Sequence, residues 1–171
     1  MGLVQVATST VTSSTASVTL TGINTDDVYM VAFNNVTLNT SGSGFYVRVT
    51  TSGTADSDSE YDIAYKQLRS NTSFGNTSNT NGTLWDLTVQ YVATGVSNNG
   101  ILYLYNFNNS SEYSFITNET AFFWSGTNHL TGNQGGGVHT VAETNDGIHF
   151  VSDSGRTFES GTFTLYRQVG S

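Results

Sequence analysis

Short runs of alternating apolar and polar residues recur along the whole chain, separated by clusters of Gly, Asn, Asp and Ser. Alternation with a period of two is the signature of a strand with one buried face. LVQVAT opens the series, and SVTLTGI follows with Val18 and Leu20 on one side. After the turn residues 24–27, VYMVAF (28–33) is apolar on both faces and predicts a central strand. VTLNT runs into a turn at 41–44, and FYVRVTT then sets Phe45, Val47 and Val49 against Tyr46, Arg48 and Thr50. YDIAYKQL groups Tyr61, Ile63 and Tyr65. LWDLTVQYV groups Trp85, Leu87, Val89 and Tyr91, while GILYLYNF groups Ile101, Tyr103, Tyr105 and Phe107. YSFIT, TAFFWSG, GVHTVAE, GIHFVS and TFTLYRQ complete about eleven candidate strands at near-even spacing, with no convincing helix. The polar stretch 70–82 (SNTSFGNTSNTNG) and the run Gly135-Gly136-Gly137 are expected to be loops.

This pattern predicts an all-β protein, a single β-sandwich over residues 1–171, jelly-roll-like, with about 8–11 strands and little or no helix. In the closing stretch ESGTFTLYRQVGS, Phe163 and Leu165 face one way and Thr162, Thr164 and Tyr166 the other. This last strand is expected to pair with the first, GLVQVATSTV, in one sheet. Neither a composition break nor a repeat of fixed length divides the chain.

Composition sharpens the picture. The chain holds 27 Thr, 21 Ser, 17 Asn and 18 Gly, with ten Phe and nine Tyr. Thr and the aromatics suit strands, and Asn, Ser and Gly suit the turns between them. Proline is absent, so sheet edges need some other guard: charge, bulges or a neighbouring subunit. The net charge is −8, and the five basic residues form no patch, which argues against nucleic-acid binding. With no cysteine, disulfides and thiolate metal sites are excluded. MGLVQVATSTV lacks the features of a secretory signal, and no apolar run reaches bilayer-spanning length, so membrane insertion is not expected.

Candidate chemistry is sparse. In ADSDSEYD, Asp56, Asp58, Glu60 and Asp62 place oxygen ligands at alternate positions, a pattern a hard cation such as Ca²⁺ could use. Tyr61 stands where a calcium loop needs its Gly, and Gln67 where it needs its bidentate Glu. No other cofactor is suggested. His129, His139 and His149 recur every ten residues and could meet in adjacent strands, with Glu143, Asp146 or Asp153 near them. There is no G-x-S-x-G elbow, no phosphate-binding loop and no nominated carboxylate pair, so no catalytic residue is assigned and no enzyme is expected. Phe122-Phe123-Trp124 is unusual, because three consecutive rings cannot all point inward from one strand. Phe123 is expected outside, at a subunit interface or in a ligand groove. Arg167, the last charge in the chain, is a further interface candidate.

The opening MGLV with its Val/Thr alternation, then SVTLTGI, DDVYMVAFNNV and the closing SGTFTLYRQ, resembles a group of small virion proteins of tailed bacteriophages. The ending is similar to the Gly-Thr-x-x-Leu-Tyr pattern common there. The likeness covers both ends of the chain and the middle only loosely. It implies an all-β, non-enzymatic protein of the outer particle, and it brings no catalytic residue with it. The expected role is a capsid decoration or cement subunit on the head, assembled in the host cytoplasm. Its partners would be phage capsid or tail proteins and copies of itself, with a homotrimer favoured. The alternatives are a tail-fibre or tail-tip module recognising host glycan or protein, and a lectin-like carbohydrate-binding module.

Overall fold

Alternation along the chain becomes a stack of antiparallel strands. The computed structural model describes residues 2–41, 44–88, 92–126, 128–153 and 155–170, and among these there are thirteen strands and no helix. In chain order they are β1 (Gly2–Val11), β2 (Ser17–Thr21), β3 (Tyr29–Leu38), β4 (Phe45–Thr51), β5 (Thr54–Ala55), β6 (Tyr61–Arg69) and β7 (Phe74–Gly82). The remainder are β8 (Trp85–Asp86), β9 (Asn98–Tyr105), β10 (Tyr113–Trp124), β11 (His129–Ala142), β12 (Gly147–Ser152) and β13 (Phe158–Val169). Eight of them form a large sheet in the order β1-β13-β3-β9-β10-β11-β6-β7. The smaller sheet runs β2-β12-β4-β5, with β8 also paired to β4.

The all-β sandwich agrees with the alternation. The first and last strands do pair, from Gly2 opposite Val169 to Val11 opposite Gly161. Between the sheets, Phe33, Phe158 and Phe163 of the large sheet meet Phe45 and Phe150 of the small one, with ring centroids 4.9–6.2 Å apart. Edge-to-face contacts dominate, as the aromatic quadrupole favours. Farther along the large sheet, Trp85 is fully buried and stands edge-on to Tyr61 at 5.0 Å. Its indole N–H donates to the carbonyls of Asp62 and Val138.

Four expectations are corrected. Residues 74–82, read as loop, form β7, which runs antiparallel to β6 with Leu68 opposite Phe74. No residue of β7 is buried, so it has no apolar periodicity to betray it. The triple glycine lies inside β11, between β10 and β6. Its side-chain-free backbone makes room for a neighbour: a Cβ at Gly137 would stand 2.6 Å from the Trp85 ring. VYMVAF and VTLNT are one strand, β3, bent by a register shift between Phe33 and Val36 where Asn35 takes φ 55°.

Lastly, Ile101 and Tyr103 face outward, and Leu102 and Leu104 fill the core instead. β9 is apolar on both faces, so alternation alone cannot orient it. Its neighbour decides: Val31 and Tyr29 of β3, both fully buried, lie opposite Leu102 and Leu104. In LWDLTVQYV, only Trp85 and Asp86 are strand, while Val89 and Tyr91 lie outside the described residues, as do Gly42 and Ser43 of the 41–44 turn.

Candidate functional site

Two features stand out once the fold is assembled. The first is the outer face of the large sheet with its edges. Ile101, Tyr103 and Phe115 are each about two-fifths exposed on β9 and β10. Met30 lies opposite Tyr103, and Tyr105 opposite Phe115, extending the apolar surface across three strands. A second apolar group sits towards β7, where Phe123 pairs with Leu130 and Leu68 with Phe74. Leu130 is 53% exposed and Phe74 65%. Across β9, β10, β11, β6 and β7 only Asp62, Lys66, Arg69 and Glu119 carry formal charge. A shallow groove of about 450 Å³ crosses this face over Gly136, walled by Phe115, Thr117, Val138, Ala64 and Ser78.

The sheet ends on both sides in a long strand. β1 is ten residues long and β7 nine, and neither contains a charge or a proline. On β1, Leu3 is 51% exposed and Val4 47%. A bulge between Gln5 and Ala7 turns Val6 towards the core and gives that edge a local protective device.

Of the three consecutive rings, Phe122 is buried and Phe123 lies half-buried on the outer face, as the alternation of β10 requires. Trp124 is half-buried and engaged within the chain. It packs on the core, meets the His129 ring edge-on at 5.0 Å and carries the Arg69 guanidinium over its face at 5.3 Å. Arg69 is held there by a hydrogen bond to Gln67. Arg167 is likewise turned inward to its own chain, with Nε 3.9 Å from the Asp27 carboxylate.

The second feature joins two separate motifs. His139, fully buried near the end of β11, points its Nε2 at Asp56 Oδ2, 2.8 Å away, and at Glu60 Oε2, 3.4 Å away. Its Nδ1 lies 3.9 Å from Glu143 Oε1. One ligand atom each from Asp56, His139 and Glu143 lie within 4.8 Å of one another. Local structure holds each in place. The Tyr61 ring packs on the imidazole at 4.9 Å, and its hydroxyl donates to the Asp56 carbonyl. Burial, reinforced by the Asp56 charge, pushes the Tyr61 phenol up, so it stays a donor. Thr140 clamps Glu60 by donating from both its backbone N–H and its hydroxyl to the Glu60 carbonyl. Thr51 donates to Glu143 from the end of β4.

Electrostatics in the cluster are uneven. Burial raises the Asp56 carboxyl, but the Asp58 N–H and His139 outweigh it and hold it below the usual range. Burial and the charges of Asp56, Asp58 and Glu143 hold Glu60 above its usual range, against the pull of His139.

The alternating acidic run therefore does not act as one loop. Asp56 and Glu60 join the histidine, whereas Asp58 is exposed and caps Asp56 through its backbone. Asp62 lies on the other face of β6 and accepts the Asn81 N–H at 2.8 Å. The three histidines do not converge. His129 and His139 are ten residues apart in one strand, hence about 33 Å apart. His149 sits in the other sheet, bonded to Thr19. Asp146 is structural, taking the Thr50 hydroxyl and the Gly53 N–H on its two oxygens.

No family model, curated protein or solved structure matches the chain. The sequence offers Asp56 with Glu60 and His139 with Glu143 as two separate groups, and only the fold joins them. It gives no comparable pointer to Leu68, Phe74 and Leu130, whose one signal is apolar residues next to turn-rich polar sequence.

Proposed function

We propose that the chain is a non-enzymatic structural subunit of a tailed-phage virion, a decoration or cement protein on the outside of the head. The observation that carries this is the pair of long, charge-free, proline-free edges on the large sheet, each with exposed apolar side chains. An edge strand without charge or proline presents a row of unpaired N–H and C=O groups, a template for strand addition by another chain, and the Gln5–Ala7 bulge interrupts only one point of β1. The two edges differ, so β1 of one copy meeting β7 of the next is a head-to-tail contact, the kind that closes into a ring. A ring of three copies, with the sparsely charged outer face against shell subunits, accounts for both surfaces. The virion setting rests on the resemblance of the two ends of the chain, and so does assembly in the host cytoplasm.

Light scattering on the purified chain should give the mass of a trimer, and Val4→Lys or Phe74→Lys should give monomer with unchanged far-UV circular dichroism. A wild-type chain that stays monomeric at high concentration and does not bind purified heads would overturn the proposal. Copy number separates head from tail: hundreds of copies on the shell support decoration, and a dozen at the tail favour a tail-tip module. The groove beside Phe115, with Tyr103 and Tyr105 near it, gives that second role a physical basis as a glycan platform. Its mark would be saturable glycan binding lost in Phe115→Ala.

A further inference from the structure

We propose that His139, Asp56, Glu60 and Glu143 form a binding site for one divalent transition-metal cation. The separations are those of ligands around a common ion. Two atoms each about 2.1 Å from a metal lie about 3.0–3.4 Å apart at octahedral or tetrahedral angles. His139 Nε2 is 2.8 Å from Asp56 Oδ2 and 3.4 Å from Glu60 Oε2. Glu143 joins them, since one ligand atom each from Asp56, His139 and Glu143 lies within 4.8 Å of the others, and the partial exposure of the three carboxylates leaves the outer side open to water ligands.

The independent pointer is the other ring nitrogen. The His139 side chain is fully buried, and its Nδ1 has no hydrogen-bond partner among the described residues. A buried nitrogen without a partner is costly. It faces the Glu143 carboxylate at 3.9 Å, too far for a hydrogen bond. A small approach of Glu143 on metal binding would give that nitrogen the outer carboxylate partner that fixes the ring of a metal-bound histidine and raises its basicity. Charge agrees: three carboxylates surround one imidazole, which at best balances one of them. A dication bound to the neutral imidazole offsets two of the three carboxylate charges. The imidazole nitrogen favours Zn²⁺ or Ni²⁺, and Mn²⁺ more weakly, over Ca²⁺ and Mg²⁺. Bound there, the ion would fasten the 56–60 loop to the end of β11.

The test is thermal unfolding of the chelator-stripped full chain with each of Zn²⁺, Mn²⁺, Ca²⁺ and Mg²⁺, alongside titration calorimetry. At about a hundredfold excess over Kd, a transition ion should raise Tm by about 5–10 °C, with one site per chain. Ca²⁺ and Mg²⁺ should leave it unchanged. Asp56→Asn and Glu60→Gln, both at partly exposed positions that should still fold cooperatively, should abolish the shift. Asp58→Asn should keep it. The proposal is overturned if neither Zn²⁺ nor Mn²⁺ moves Tm, if the shift survives in Asp56→Asn and Glu60→Gln, or if Ca²⁺ gives the same shift.

Discussion

His149 illustrates how one side chain reports its surroundings. On β12 it lies opposite Thr19 and Arg48, and its Nδ1 bonds the Thr19 hydroxyl at 2.8 Å. Burial, with the Arg48 guanidinium beside it, holds the imidazole below its ordinary value of 6.5. The folded pKa is the lower one, so the unfolded chain takes up a proton first as pH falls. The contribution is therefore complete above the unfolded value of about 6.5 and is lost as pH falls towards the folded one. Denaturant midpoints for wild type and His149→Gln, measured between pH 7.5 and 5, should show the larger acid loss in wild type. Equal losses would remove His149 from the account. Trp85 and Gly137 make the complementary point about volume: the largest buried side chain takes the space that glycine leaves.

Among the elements, β7 depends most on its neighbour. Backbone bonds to β6 hold it, with the Asp62 carboxylate accepting the Asn81 N–H where the register shifts and Asn81 takes φ 53°. A strand without buried side chains opens locally at low cost. In Asp62→Ala, amides 75–80 should exchange about tenfold faster, corresponding to about 1.4 kcal/mol of local opening, while those of β10 and β11 keep their protection. Hydrogen exchange read by mass spectrometry checks this, and a uniform rise across the sheet would contradict it. β11 is the opposite case, since its glycines look like a loop in one dimension and pack as a central strand in three.

At the scale of the whole molecule, the aromatic cluster between the sheets joins β3 and β13 to β4 and β12. Phe45 makes ring contacts with Phe33, Phe150, Phe158 and Phe163. Phe45→Ala should cost about 3–5 kcal/mol. Near- and far-UV circular dichroism should then move together to a lower denaturant midpoint, because both sheets share that core. Separate transitions would mean that the sheets unfold independently.

Period-two alternation, frequent turn residues and the absence of helical spacing determined the all-β class, the buried faces of β2, β4, β6 and β13, and the pairing of the first strand with the last. Those features are written locally or follow from one strong terminal pattern. Only the tertiary structure decided which face of β9 turns inward, that 74–82 joins the sheet, and that the triple glycine sits beneath Trp85. It also brought His139 and Glu143 to Asp56 and Glu60, some eighty residues away along the chain. The physical reason is common to all of these. A strand's period states that one face is buried, but the neighbouring strand that buries it, and the side chains it brings alongside, are set by long-range pairing.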